Sequence, residues 1–239
     1  MLCFEMPRWR FDLLHPVDLV EELAIGHGYE DLGVDVPKAP MNALPRPDDH
    51  LRRRIRTSMQ GMGFMQVQSL TLSNDDDQFN RMRWKPFNAI TRITNPITQD
   101  HTMMRHFLLP GLLRLLSSNR HHDLPQSVYE LGTVVRDHVN SDRLAFITAE
   151  RVGGFAAIRG RIQAFLRDLG AENIVIEALP DNEGPWLAGR AARVLLNGEW
   201  VGCFGEIDPA ISQTFELLVP LNGAEFDVEA LKSTITDPV

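Results

Sequence analysis

Apolar residues recur every three or four positions in several stretches of this chain and alternate with polar ones in others, which predicts helices laid against a sheet. The first periodic stretch follows Pro16, whose fixed φ suits an opening turn. Leu19, Val20, Leu23 and Ala24 form its apolar face, and Gly28 stands where a left-handed residue ends a helix. Leu51, Ile55 and Met59 define a second helix that stops near Gly61 and Gly63. In a third, Leu108, Leu112, Leu115 and Leu116 share one stripe, with Pro110 tolerated in the first turn. A fourth carries Ile158, Ile162, Phe165, Leu166 and Leu169 on one side and closes at Gly170.

Alternation predicts strands over 64–72, 89–94, 127–135, 173–178 and 224–231. Asn74 to Asp77 reads as an acidic turn, and Pro96 keeps 95–101 in a loop. Within 192–207, Asn197 and Gly198 separate two strand-like runs, the mark of a hairpin with a type I′ turn. Asp208 and Pro209 supply the N-cap and first position of a helix reaching about Leu217. Consecutive strands joined by tight turns make the sheet antiparallel, and the fold class is α+β, a sheet flanked by helices. Pro37, Pro40, Pro45 and Pro47 mark an extended connection between Leu32 and Pro47. It separates a small helical piece, 1–40, from a body, 41–239. The piece is too small to stand alone without a metal or a neighbour and reads as the tail of something larger.

Composition narrows the picture. With 44% hydrophobic residues in 239, the chain can bury a sizeable core. A net charge of −8 opposes whole-surface attraction to nucleic acid. Arg52, Arg53, Arg54 and Arg56 nevertheless cluster on the second helix, either as a solvated face or as contacts to an RNA backbone. Two cysteines, Cys3 and Cys203, make no disulfide framework and fit a reducing compartment. The N-terminus lacks the apolar run of a signal peptide, and the apolar segment 107–116 is interrupted by Pro110 and Arg114 and too short to span a membrane. A cytoplasmic protein is expected.

The glycines of 152–170 match neither G-x-x-x-x-G-K-[ST] nor G-x-G-x-x-G, and His121 and His122 have no second ligand pair at zinc spacing. The densest chemistry lies at the start of the first helix. Asp18, Glu21 and Glu22, spaced i, i+3, i+4, share a face, and Asp12 stands just upstream. One reading is that these acids offset the helix dipole, with Arg8 and Arg10 to neutralise them. The other is a hard-cation site, since carboxylate oxygens suit Mg²⁺, which keeps waters as its remaining ligands. Spacing leaves both open.

Five phrases occur in register: RWRFDLLHPVDLVEELAIGHGYE, NPITQDHTMMRHFLLPGLLRLLSSN, VYELGTVV, GRAARVLLNGEWVGCFGEIDPAI and AEFDVEAL. Together they resemble the C-terminal half of the phenylalanyl-tRNA synthetase beta subunit of the archaeal and eukaryotic type, across nearly the whole chain. The resemblance implies a degenerate class II aminoacyl-tRNA synthetase-like sheet that pairs with a catalytic alpha chain, two alpha with two beta, in an assembly that charges tRNA with phenylalanine using ATP. It implies that Asp12, Asp18, Glu21 and Glu22 contribute to a Mg²⁺ site shared with the alpha chain.

The same resemblance implies no catalytic residue in this chain. A working enzyme of this class needs a second arginine in a late glycine-rich segment, and GAEFDVEAL has none. Two alternatives stand beside this reading: a free-standing adenylate-forming ligase using Arg105 and Glu130, and an RNA-binding module using the arginines of the second helix. Nothing matches the upstream editing domain of relatives, so a C-terminal fragment or an internal start is expected. The leucine helix, 108–116, either packs on the alpha chain or belongs to the chain's own core.

Overall fold

The structure is a computed structural model that describes residues 3–33, 35, 38, 47–180 and 183–235. The chain forms two compact units, 1–45 and 46–239. In the first, α1 (Pro16–His27) leads into a 3₁₀ turn over Tyr29–Leu32. A reciprocal cap starts α1: the His15 ring accepts from the Val17 N–H at 3.2 Å, and the Asp18 carboxylate accepts from the His15 N–H at 2.7 Å. Gly28, at φ 103°, ends it in a conformation that favours glycine. The proline-rich connection expected between Leu32 and Pro47 lies mostly outside the described residues.

The second unit holds α2 (Pro47–Gly61), β1 (Met65–Gln66), β2 (Leu72–Ser73), β3 (Met103–Met104), α3 (Leu109–Ser118), β4 (Gln126–Arg136) and β5 (Val139–Ala149). It continues with α4 (Phe155–Asp168), β6 (Ile174–Ala178), β7 (Trp186–Leu196), β8 (Glu199–Ile207), α5 (Pro209–Thr214), β9 (Leu221–Asp227) and α6 (Val228–Thr234). Its main sheet has the order β1-β4-β5-β9-β8-β7-β6. Every neighbouring pair is antiparallel except the short edge pair β1–β4, which is parallel. Helices cover both faces. On one, α2, α4 and α6 pack over Leu144, Phe146, Phe204, Ala224 and Phe226; on the other, α3 and α5 pack over Val128, Ala145, Ile147 and Ile207. The architecture is thus a mixed α/β one, a seven-stranded sheet flanked by helices.

The leucine helix belongs to this core. Leu108, Leu112 and Leu116 of the stripe are enclosed against the chain's own sheet, and Leu115 is half-buried. The type I′ hairpin forms as expected, with positive φ at both Asn197 and Gly198.

Other segments depart from the pattern. The strand expected over 64–72 breaks into β1 and β2, which pair in different sheets. Residues 89–94 form only a single bridge, Arg92 to Met103. The last strand stops at Asp227, because its Oδ1 accepts the Glu229 and Ala230 N–H groups at 3.0 and 3.1 Å and thereby starts α6. The helix after Asp208 ends at Thr214, short of Leu217.

Candidate functional site

The acidic cluster of the first unit gathers around Arg10. Its Nη2 donates to Asp12 Oδ2 at 2.8 Å and to Glu22 Oε1, while its Nε donates to Asp12 Oδ1 at 3.0 Å. The guanidinium hydrogen bonds hold the Asp12 carboxyl below its usual range and raise Arg10 above its own. Asp18 is turned to the backbone: its Oδ2 accepts from the His15 and Leu14 N–H groups, and these two bonds lower its pKa. Glu21 is exposed and makes no ion pair among the described residues. The structure therefore brings Asp12 and Glu22 to one cationic centre and leaves Asp18 and Glu21 beside it. No three metal-ligating side chains converge on a point among the described residues. The donor set is all carboxylate oxygen, and two convergent carboxylates fit a Mg²⁺ ion that keeps its waters.

On the sheet of the second unit, the register places Glu130, Ala145, Glu225 and Cys203 side by side across β4, β5, β9 and β8. Each acid of that row has its own arginine. Arg105, from the segment before α3, donates to Glu130 Oε1 at 2.7 Å and to Ser69 Oγ at 2.9 Å, and its Nε reaches the Thr133 carbonyl at 2.8 Å. Ser69 in turn donates its hydroxyl to Glu130 Oε2 at 2.6 Å. Gly132 makes room for the pair, since a Cβ there would sit 2.6 Å from Arg105 Nη2 and 2.9 Å from Glu130 Oε1.

Arg143 donates to Glu225 Oε1 at 2.8 Å and to Asp227 Oδ2 at 3.2 Å. The other oxygen of Glu225 accepts from the Leu108 and Leu109 N–H groups at 3.2 and 3.0 Å, so a sheet carboxylate caps the N-terminus of α3. Both pairs are interior, the side chains being 4% and 1% exposed for Arg105 and Glu130 and 2% each for Arg143 and Glu225. A cleft of about 290 Å³ opens beside Arg105, walled by Leu72, Gln78, Phe107, Pro110 and Leu115. Its Gln78 is committed as well, its Oε1 accepting from the His106 and Phe107 N–H groups at 2.9 Å each.

The arginines of α2 divide in two. Arg52 pairs with Asp142 and Arg54 donates to the Leu169 carbonyl, while Arg53 stays exposed. His121 and His122 lie together in an exposed loop. No helix among the described residues is long and apolar enough to cross a membrane.

Comparison with known proteins addresses the origin of this arrangement. Residues 33–228 match the family model described as the phenylalanyl tRNA synthetase beta chain CLM domain, and residues 2–29 match the tRNA synthetase B5 domain. The chain belongs to the phenylalanyl-tRNA synthetase beta chain family. Among the relatives of this beta chain is the phenylalanine–tRNA ligase beta subunit of Methanothrix thermoacetophila, 35% identical over 93% of the chain and 41% of that protein. Those of Archaeoglobus fulgidus and Methanosarcina barkeri are 34% and 33% identical, over 96% and 95% of the chain and 42% and 41% of their own lengths. The chain spans about two fifths of the length of the curated relatives it matches.

Within this beta-chain body, sequence reasoning singled out Arg105 and Glu130 but missed Arg143, Glu225 and Asp227. A signal existed: Glu225 stands between Ala224 and Phe226 in a strand-like segment, and a carboxylate enclosed there needs a cation and hydrogen-bond donors. Cys203, in the same row, keeps part of its surface open. Enclosure of its thiol, followed by the nearby Glu225 carboxylate, nonetheless pushes its pKa up to about 12. Cys3 is exposed. Iodoacetamide at pH 8 is therefore expected to modify the native chain once, at Cys3, and to reach Cys203 only after denaturation. Peptide mass spectrometry reads the result, and equal native labelling of both thiols would contradict the enclosure of Cys203.

Proposed function

We propose that this chain is a non-catalytic beta-subunit segment of phenylalanine–tRNA ligase, on a degenerate class II synthetase fold. It supports the ATP-dependent attachment of phenylalanine to its tRNA by an alpha chain, in an assembly of two alpha and two beta chains in the cytoplasm. On this reading residues 1–40 end a small helical domain and residues 41–239 form the synthetase-like body. The observation that carries the non-catalytic reading is the neutralisation of the buried arginines. Arg105 and Arg143, two of the three guanidiniums on the α3 face of the sheet, are already matched by Glu130 and by Glu225 with Asp227, and the third, Arg136, donates to the His106 carbonyl. The N-terminus of α3, which otherwise favours an anion such as phosphate, faces the Glu225 carboxylate. An ATP phosphate brought to the start of α3 would meet the Glu130 and Glu225 carboxylates with their arginines already paired, which opposes the charge stabilisation that phosphoryl chemistry needs.

In the first unit, Asp12 and Glu22, with Asp18 and Glu21 beside them, would hold Mg²⁺ and so tie this unit to the alpha chain. The ion would supply a fixed positive charge that draws the carboxylates together.

The test is co-expression with a cognate alpha chain followed by size-exclusion chromatography with mass detection, and ATP–pyrophosphate exchange with phenylalanine. The expected outcome is a two-plus-two complex that exchanges, and a lone chain that does not. Exchange by the lone chain that Arg105→Ala removes would favour the free-standing ligase, and failure to join the alpha chain would overturn the subunit reading.

A further inference from the structure

We propose that Arg10 is a resident counter-cation of the carboxylate site, holding Asp12 and Glu22 together until Mg²⁺ displaces it. This inference rests on the Mg²⁺ reading given above. Its basis is the geometry of a single nitrogen: Arg10 Nη2 lies within hydrogen-bond reach of both Asp12 Oδ2 and Glu22 Oε1, residues separated by most of α1's first two turns. Without a cation between them the two carboxylates would repel and separate. The guanidinium is also the most enclosed of the three groups, its side chain 25% exposed against 55% for Asp12 and 44% for Glu22. Its Cζ lies 5.9 Å from the Trp9 ring centroid, which gives it a second resting contact.

Arg10 and Mg²⁺ therefore ask for the same oxygens. A divalent ion takes Asp12 and Glu22 only when the guanidinium swings away, and with the ion in place Arg10 becomes free for another anion. Asp18 does not take part in this exchange in the same way, because its Oδ2 is held by two N–H groups at the start of α1. Cation binding is thus coupled to release of an arginine, and the carboxylate pair stays assembled in both states. The coupling runs both ways, so anything that captures Arg10 also tightens Mg²⁺.

The experiment is isothermal titration of MgCl₂ into the full chain and into Arg10→Gln, at constant ionic strength, with Trp emission followed in parallel. Removal of a competing cation is expected to tighten Mg²⁺ by about tenfold, within the usual range of coupling between sites. In the unsubstituted chain Mg²⁺ is expected to change an emission component that Trp9→Phe abolishes. Circular dichroism checks that Arg10→Gln keeps its helix. Equal dissociation constants in the two chains, or weaker binding by Arg10→Gln, would overturn the displacement and leave the Mg²⁺ reading standing. Absence of binding in both, unaltered by Asp12→Asn with Glu22→Gln, would remove the Mg²⁺ site itself.

Discussion

Glu225→Leu is expected to lower the melting temperature of the chain by about 6–20 °C. The substitution leaves the Arg143 guanidinium with only the longer contact to Asp227 and removes the acceptor of the Leu108 and Leu109 N–H groups. Breaking a buried ion pair from one side costs about 3–5 kcal/mol, because the partner charge stays behind without water. In a unit spanning residues 46–239, each kcal/mol corresponds to about 2–4 °C. Glu225→Gln retains an acceptor for the helix cap but loses the charge, so an intermediate loss is expected. Glu172→Ala, at an exposed position, should stay within about 0.5 kcal/mol of the unsubstituted chain. Scanning calorimetry of the three variants gives the ranking. A shift for Glu225→Leu no larger than that of Glu172→Ala would mean that the Arg143 network does not hold the sheet to α3.

The elements that local rules could find were those whose signal is local. The type I′ turn is written in Asn197 and Gly198, and the leucine stripe of α3 has a helical period that burial then makes use of. β5 escaped because its signal is not local. Its second half, Leu144 to Ala149, is buried on both faces, so it shows no alternation, and its first half is polar. The turn before it uses Asp137 and His138 at φ 51° and 62°, residues that announce a type I′ turn less clearly than glycine. The carboxylates Asp12 and Glu22 were readable as a cluster and Arg10 as a neutralising neighbour, but not which of the acids it gathers, because pairing across α1 depends on side-chain direction rather than spacing. Glu225 needed still more: its three partners come from β5 and from the entry to α3, over 80 positions away in each case.

The pair Arg105 and Glu130 separates a scaffold from an enzyme most directly. If the pair is structural, Arg105→Met and Glu130→Leu each leave one buried charge unmatched, and each is expected to cost about 3–5 kcal/mol. The double substitution leaves no unmatched charge, and replacing a whole buried pair by apolar groups is often neutral, so it should cost less than either single change. The expected coupling energy is therefore on the order of the single-site loss, far above the few tenths seen for independent positions. Denaturant titration of the four chains gives that energy, with Gly132 unaltered because its missing Cβ is what lets the two groups meet. An enzyme would behave otherwise. A phosphate-binding Arg105 would be partly free in the unliganded chain, so its loss would remove nucleotide affinity and spare stability. Three acceptors on an arginine that is 4% exposed favour the first pattern, and the expected result is a large, mutually dependent loss of stability.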